Sequence, residues 1–107
     1  MVHPPCIGYG IIFSDDAKKA LKKLEDQTIS KIFEKTKQLT SEQACALNIK
    51  KLKSKINLYR LRVGDYRIIY SIEHAKVIIY IVDVGHRKDI YDKMDRRLKL
   101  MNPWYAW

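Results

Sequence analysis

The sequence predicts a small α+β domain: an N-terminal strand and a helical hairpin, then a three-stranded antiparallel meander and a C-terminal helix. Three observations predict it. Apolar residues recur at helical spacing between Ala17 and Leu39. Residues 58–84 hold three β-favouring runs, the first two joined by Gly64-Asp65. Helical spacing then returns at Ile90, Met94 and Leu98. At 107 residues, 47% apolar and 31% charged, the chain has the size and composition of one folded unit. Residues 1–107 are therefore read as a single domain, with 1–6 and 101–107 as flexible tails.

Tyr9 to Phe13 is a short apolar run and the first strand. Ser14 is placed to cap the following helix, and Asp15 and Asp16 suit its positive first turn. Ala17, Ala20, Leu21 and Leu24 form its buried stripe. The pattern slips at Asp26, read as the cap of a second helix with Ile29, Ile32, Phe33 and Leu39 on one face. The lysines of both helices fall on the other faces as solvated surface. Within 40–55, SEQACALNIK has room for one helical turn, and Lys50 to Lys55 (KKLKSK) reads as a basic connector. Leu58–Val63 and Tyr66–Ile72 make a hairpin, and Gly64 at the first central position suits a type II′ turn. The third strand, Val77 to Val84, is apolar on both faces and so belongs at the centre of the sheet or under cover on both sides. Gly85 is expected to break it. The last helix is expected from Asp89 to about Leu100.

No apolar run approaches the ~20 residues that span a bilayer. The opening MVHPPCIGYG lacks the charged start and apolar centre of a signal peptide. A soluble, cytoplasmic protein with no membrane partner is the expectation. Cys6 and Cys45 are read as small buried apolar groups rather than a disulfide. Cys6, Cys45, His3, His74 and His86 show no metal-ligand spacing, and no cofactor is implied.

Charge is unevenly placed. Residues 1–49 carry 7 lysines, no arginine and 6 acids, whereas residues 50–107 carry 8 lysines, 6 arginines and 6 acids. Arginine is a rigid fork suited to phosphate, so an arginine-rich basic half points to a polyanion partner. With the two-residue turn, Arg62 faces Arg67 and Arg60 faces Ile69. Arg60, Arg62 and Arg67 then share one face, and Tyr59, Leu61, Ile68 and Tyr70 share the other. The second face is expected to pack on the helices, leaving the arginine face as an open basic surface. Opposed arginines repel, and a phosphate between them would relieve this. Arg87, at the exit of the third strand, reaches the same surface, with Tyr91 one helical turn on. A ring beside arginines suits a single-stranded base. The competing reading is that these arginines lie along the sheet and pair with Asp65, Asp83 or Asp89.

The stretch LYRLRVGDYRIIYSIEHAKVIIYIVDVGHRKDIY, Leu58 to Tyr91, resembles the RelE/ParE superfamily of bacterial and archaeal toxins. The hairpin YRLRVGDYRIIY and the later VGHRKDIY carry the resemblance. It implies a RelE-like fold and the toxin of a type II toxin–antitoxin pair. RelE-type members are ribosome-dependent endoribonucleases that cut messenger RNA in the A site without a metal. The messenger's own 2′-hydroxyl attacks the adjacent phosphate. By position, the resemblance implies that Arg67 grips the scissile phosphate, Arg87 stabilises the transition state and assists the leaving group, and Tyr91 stacks on or orients a base. Arg60 and Leu58 stand where well-studied members have lysines. Arginine is a poor base at neutral pH, so His86, with an imidazole's ordinary pKa near ~6.5, is the candidate base. Arg62, Arg60, Lys53 and Lys55 are the expected phosphate contacts. The implied partners are the ribosome, messenger RNA and an acidic antitoxin that folds on binding. Two alternatives remain open: a ParE-like inhibitor of DNA gyrase without nuclease chemistry, and a non-catalytic RNA-binding relic.

Overall fold

The computed structural model describes residues 4–52 and 57–101. The element order is β1 (Gly10–Phe13), α1 (Asp15–Lys22), α2 (Asp26–Gln38), a 3-10 turn (Glu42–Ala46), β2 (Ile49–Lys51), β3 (Leu58–Val63), β4 (Tyr66–Glu73), a 3-10 turn (His74–Lys76), β5 (Ile78–His86) and α3 (Ile90–Met101). The strands form one five-stranded sheet in the order β1-β5-β4-β3-β2. Only the β1–β5 pairing is parallel. The expected α+β architecture is present, with one strand more than the sequence suggested. Lys50 and Lys51 lie in the edge strand β2 rather than in a connector, held by the pairs Lys50↔Arg60 and Lys51↔Tyr59. A three-residue strand has too little alternation to be seen in a lysine-rich stretch.

The helical hairpin covers one face of the sheet. Ala17 and Leu21 of α1 and Ile32 of α2, with Leu39 just beyond it, pack on Tyr59, Leu61, Ile68, Tyr70, Ile79, Ile81 and Val84, all buried. Ser14 Oγ accepts from Ala17 N at 3.0 Å, capping α1 as its position predicts, and donates to Val82 O at 2.6 Å. The cap therefore also pins α1 to β5. Asp26 is not a cap. It is the first residue of α2, and Glu25 stands at the N-cap without a side-chain bond. The apolar face of α2 is also turned from expectation: Phe33 is exposed and edge-on to Phe13, while Thr36 is buried. Thr36 is tolerated there because its hydroxyl donates to Ile32 O at 2.6 Å.

The opposite face is not an open surface. α3 lies on it, and Ile90 and Met94 form a second, smaller cluster with Leu58 and Ile69. Gly85 does not end β5, which continues to His86. Its lack of a side chain serves packing instead: a Cβ there would stand 2.9 Å from Ile90 Cδ1. A bulge in β5 sets the chemistry of this face. Ile69 pairs with Asp83 and Tyr70 with Ile81, so Val82 is an extra residue. The bulge turns Asp83 towards α3, where its buried carboxylate takes Lys93 Nζ at 3.1 Å and Val84 N at 2.8 Å. Val77, expected to open the strand, instead sits before it with φ +57°, a strained conformation for a β-branched residue. Cys6 is buried as expected, but Cys45 is exposed, and both are free thiols. No helix of the described residues is long and apolar enough to cross a membrane.

Candidate functional site

The β3–β4 turn organises the site. Gly64 has φ +59° and Asp65 does not share the positive φ, as a type II′ turn requires. The register follows: Val63 opposes Tyr66, Arg62 opposes Arg67, and Arg60 opposes Ile69. On the other side of β4, Tyr66 opposes His86 and Arg67 opposes Gly85. The turn and the exit of β5 thus lie side by side, although about twenty residues of sequence separate them.

Arg67 folds back on the turn. Its Nη1 donates to Gly64 O at 2.9 Å and to Tyr66 O at 3.0 Å, and the residue is 8% exposed. Arg62, opposite, is exposed. The facing pair therefore needs no anion between them: one guanidinium is spent on carbonyls and the other extends into water. Arg87 is held to the same turn. Its backbone N donates to Asp65 O at 2.8 Å, and its Nε lies 3.7 Å from Asp65 Oδ1. Both side chains of that ion pair are more than half exposed, 53% and 68%. Such a pair holds Arg87 only weakly. Arg67 and Arg87 are thus anchored on three consecutive residues, with Tyr91 partly exposed in the first turn of α3.

Other expected site residues are placed elsewhere. Arg60 is tied to the edge of the sheet, its Nη2 donating to Asn48 Oδ1 at 2.6 Å. Leu58 is a core residue of the α3 face. Lys53 and Lys55 lie outside the described residues. His86 is not brought together with Arg67. It shares the helical-hairpin face with Tyr66, the rings edge-on at 5.7 Å, whereas Arg67 points to the α3 face. His86 Nδ1 accepts from Lys88 N at 3.2 Å, so a neutral ring carries its proton on Nε2. Tyr59 and Tyr70 stack at 5.4 Å in the core, and burial first, then the neighbouring Cys6, pushes the Tyr70 phenol well above its ordinary range. Neither phenol is a proton carrier for a surface site.

The pairing reading for the arginines is half right. Asp65 does meet Arg87, but Asp83 is taken by Lys93. Asn48, the partner of Arg60, carried no sequence signal of its own, being a lone amide in a loop, whereas Asp65 was among the acids expected for the arginines. What the end of the sheet can do chemically is hold positive charge in a fixed place. That suits an anion, or charge that develops on phosphate oxygens.

The comparisons with known proteins agree with this architecture. Residues 11–91 match the family of ParE toxins of the type II toxin–antitoxin system parDE. Toxin RelE3 of Methanocaldococcus jannaschii is 35% identical over 85 residues, which is 77% of this chain and 94% of that protein. Among solved structures, an archaeal RelE–RelB complex from Pyrococcus horikoshii superposes with a TM-score of 0.66 at 28% identity, covering 78% of this chain and 99% of that one. A RelB–RelE antitoxin–toxin complex from Methanococcus jannaschii gives 0.63 at 31% identity, covering 76% and 95%. The five-stranded α+β fold is that of the RelE toxins. The chain belongs to the RelE/ParE superfamily of toxins of type II toxin–antitoxin systems.

Proposed function

We propose that the protein is a ribosome-dependent endoribonuclease that cuts messenger RNA through attack of the 2′-hydroxyl on the adjacent phosphate. The observation that carries this reading is the anchoring of Arg67 and Arg87 on one turn, with Tyr91 four residues after Arg87 at the start of α3. Attack forms the bond from the 2′-oxygen to phosphorus and breaks the bond to the 5′-oxygen, leaving a 2′,3′-cyclic phosphate and a 5′-hydroxyl. Charge accumulates on the non-bridging oxygens as the phosphorane forms. Arg87, exposed and loosely paired, swings from Asp65 to those oxygens. Arg67 fixes the turn that carries Asp65 and adds its positive field. Tyr91 orients a base by stacking. Within this reading the 2′-proton leaves to water, to the ribosome or to the neutral ring of His86, and the departing 5′-oxygen takes its proton from water.

An antitoxin partner follows from the same reading, since the related archaeal toxins are seen in complexes with RelB. The net charge of +9 suits an acidic one. A second reading, a gyrase inhibitor without nuclease chemistry, is favoured by two observations: the family match is to ParE toxins, and the lysine positions of well-studied RelE proteins hold buried Leu58 and tethered Arg60. Primer extension on a reporter message in a cell-free translation system separates them. New 5′ ends inside translated codons are expected with the protein, and not with Arg87→Ala or without ribosomes. An intact message together with loss of DNA supercoiling by gyrase would establish the second reading.

A further inference from the structure

The apolar hold on α3 is small. Ile90 and Met94 bury against Leu58 and Ile69, with Leu52 and Val82 at the margin. Apolar burial is non-directional, so a cluster of this size leaves a helix room to roll and slide on its support. Two further contacts remove that freedom. At the start of α3, Ile90 stands so near Gly85 that a Cβ on the glycine would meet Ile90 Cδ1 at 2.9 Å. One turn on, Lys93 Nζ donates to Asp83 Oδ1 at 3.1 Å. Asp83 is 0% exposed, and the same oxygen accepts from Val84 N at 2.8 Å. A carboxylate taken fully out of water must keep its partners, since losing one leaves a buried charge uncompensated. The bond therefore restricts where Lys93 can stand, whatever the apolar contacts allow.

The bulge in β5 exists to make this contact. Regular alternation would put Asp83 on the hairpin face with Ile79 and Ile81, and the extra residue Val82 brings it under α3 instead. Stability alone would not call for an ion pair there, because well-packed apolar groups of the same size hold as well or better. What the pair adds is direction, and its consequence lies on the opposite flank of the helix. With Ile90 and Met94 turned to the sheet, Lys93 falls about 60° to one side of Ile90 and Tyr91 about 100° to the other. A roll of about 30° would carry a ring about 6 Å from the helix axis through about 3 Å. That is more than a stacked or reacting group tolerates. We propose that Asp83 and Lys93 are positioning residues: their buried bond sets the roll of α3 and so holds the Tyr91 ring, four residues after Arg87, where it stacks on a base. The inference rests on the nuclease reading for the base that Tyr91 meets.

The test replaces the pair by apolar groups of similar size, Asp83→Leu/Lys93→Met, which should leave the urea midpoint at or above the parent's. Should that variant not fold, Lys93→Gln takes its place. Cutting of messages on programmed ribosomes is expected to fall roughly tenfold in kcat/KM, as for Tyr91→Ala, the size of one lost base stack. The variant that combines the pair replacement with Tyr91→Ala should fall no further than either, because the changes remove one shared interaction. A merely structural pair would add its effect to that of Tyr91→Ala, to roughly a hundredfold, and that result overturns the proposal. So does a pair variant that cuts like the parent. Lys93→Arg, which keeps a charged donor for Asp83, should restore cutting to within about twofold of the parent. A second readout needs no cutting. The Tyr91 ring resonances should shift in the pair variant, while those of Tyr66, on the hairpin face, stay in place. Unmoved Tyr91 resonances overturn the proposal. If the parent cuts nothing and the Tyr91 resonances still move, the positioning stands and the nuclease reading falls.

Discussion

The two faces of the sheet are built to different ends. On the helical-hairpin face, α1, α2 and the strands β3, β4 and β5 bury a continuous set of side chains from Ala17 to Val84. On the α3 face, the buried cluster has four members, Leu58, Ile69, Ile90 and Met94, and the rest of the surface holds arginines, with Ile12 and Tyr80 partly exposed. Stability is concentrated on the first face, so the second tolerates charge. The lesson is in how that charge is carried. Three guanidiniums are settled by local partners, Arg67 by turn carbonyls, Arg60 by Asn48 and Arg87 by Asp65, while Arg62 extends into water. Such bonds are individually modest and exchangeable.

The largest expected effect tests that asymmetry directly. Ile32→Ala, in the main core, should cost about 4 kcal/mol, and Met94→Ala, in the small cluster, about 2 kcal/mol, because a thin layer relaxes around a cavity more easily. Urea unfolding of the two variants measures the difference. Equal costs would mean that α3 is as integral to stability as the hairpin. Next in size is the contrast between the two arginines. Arg87→Ala should slow RNA cutting about 100-fold, roughly 2.7 kcal/mol in the barrier, with stability changed by less than about 0.5 kcal/mol. Arg67→Ala should also slow cutting, but should cost about 1–2 kcal/mol of stability, since it removes two bonds to turn carbonyls. If Arg67→Ala leaves the urea midpoint untouched, those bonds are incidental.

A smaller effect concerns alkaline pH. Burial raises the thiol of Cys6 and the phenols of Tyr59 and Tyr70 above their ordinary values of 9.0, 10.0 and 10.0. The folded chain then holds protons that the unfolded chain gives up. Their contribution is fully present below about pH 9 and is lost as pH rises towards the folded values. Tyr70→Phe should flatten the fall in stability above about pH 10 seen in urea titrations. An unchanged slope would place the alkaline sensitivity outside the main core. The smallest effect is at Val77, where φ is +57° and the side chain is 49% exposed. Val77→Asn should add about 0.5–1 kcal/mol, because Asn tolerates the left-handed region. A loss on thermal unfolding would show that the valine side chain matters more than the strain.

Much of the fold was legible because its signals are local. Ser14 before two acids marks a helix start, and Gly64-Asp65 between alternating runs fixes a hairpin and its register. The misses share a cause. Gly85 read as a break because glycine is usually punctuation, but here its reason lies across the fold, at Ile90. Lys50 and Lys51 read as a connector because an edge strand owes its existence to its partner, β3. The face on which His86 stands was likewise set by its partner across the sheet, Tyr66.

The sequence by itself determined the order of the three helices and of every strand but β2, the opposed arginines and the family resemblance carried by residues 58–91, because helix caps, turn residues and alternation act over a few residues. Only the tertiary structure decided which arginine is occupied and which is exposed, that a one-residue bulge turns Asp83 to meet Lys93, and that the α2 lysines stand across from the β3–β4 turn. Those outcomes depend on which surfaces meet, and the burial that brings them together is a property of the whole chain rather than of any stretch within it.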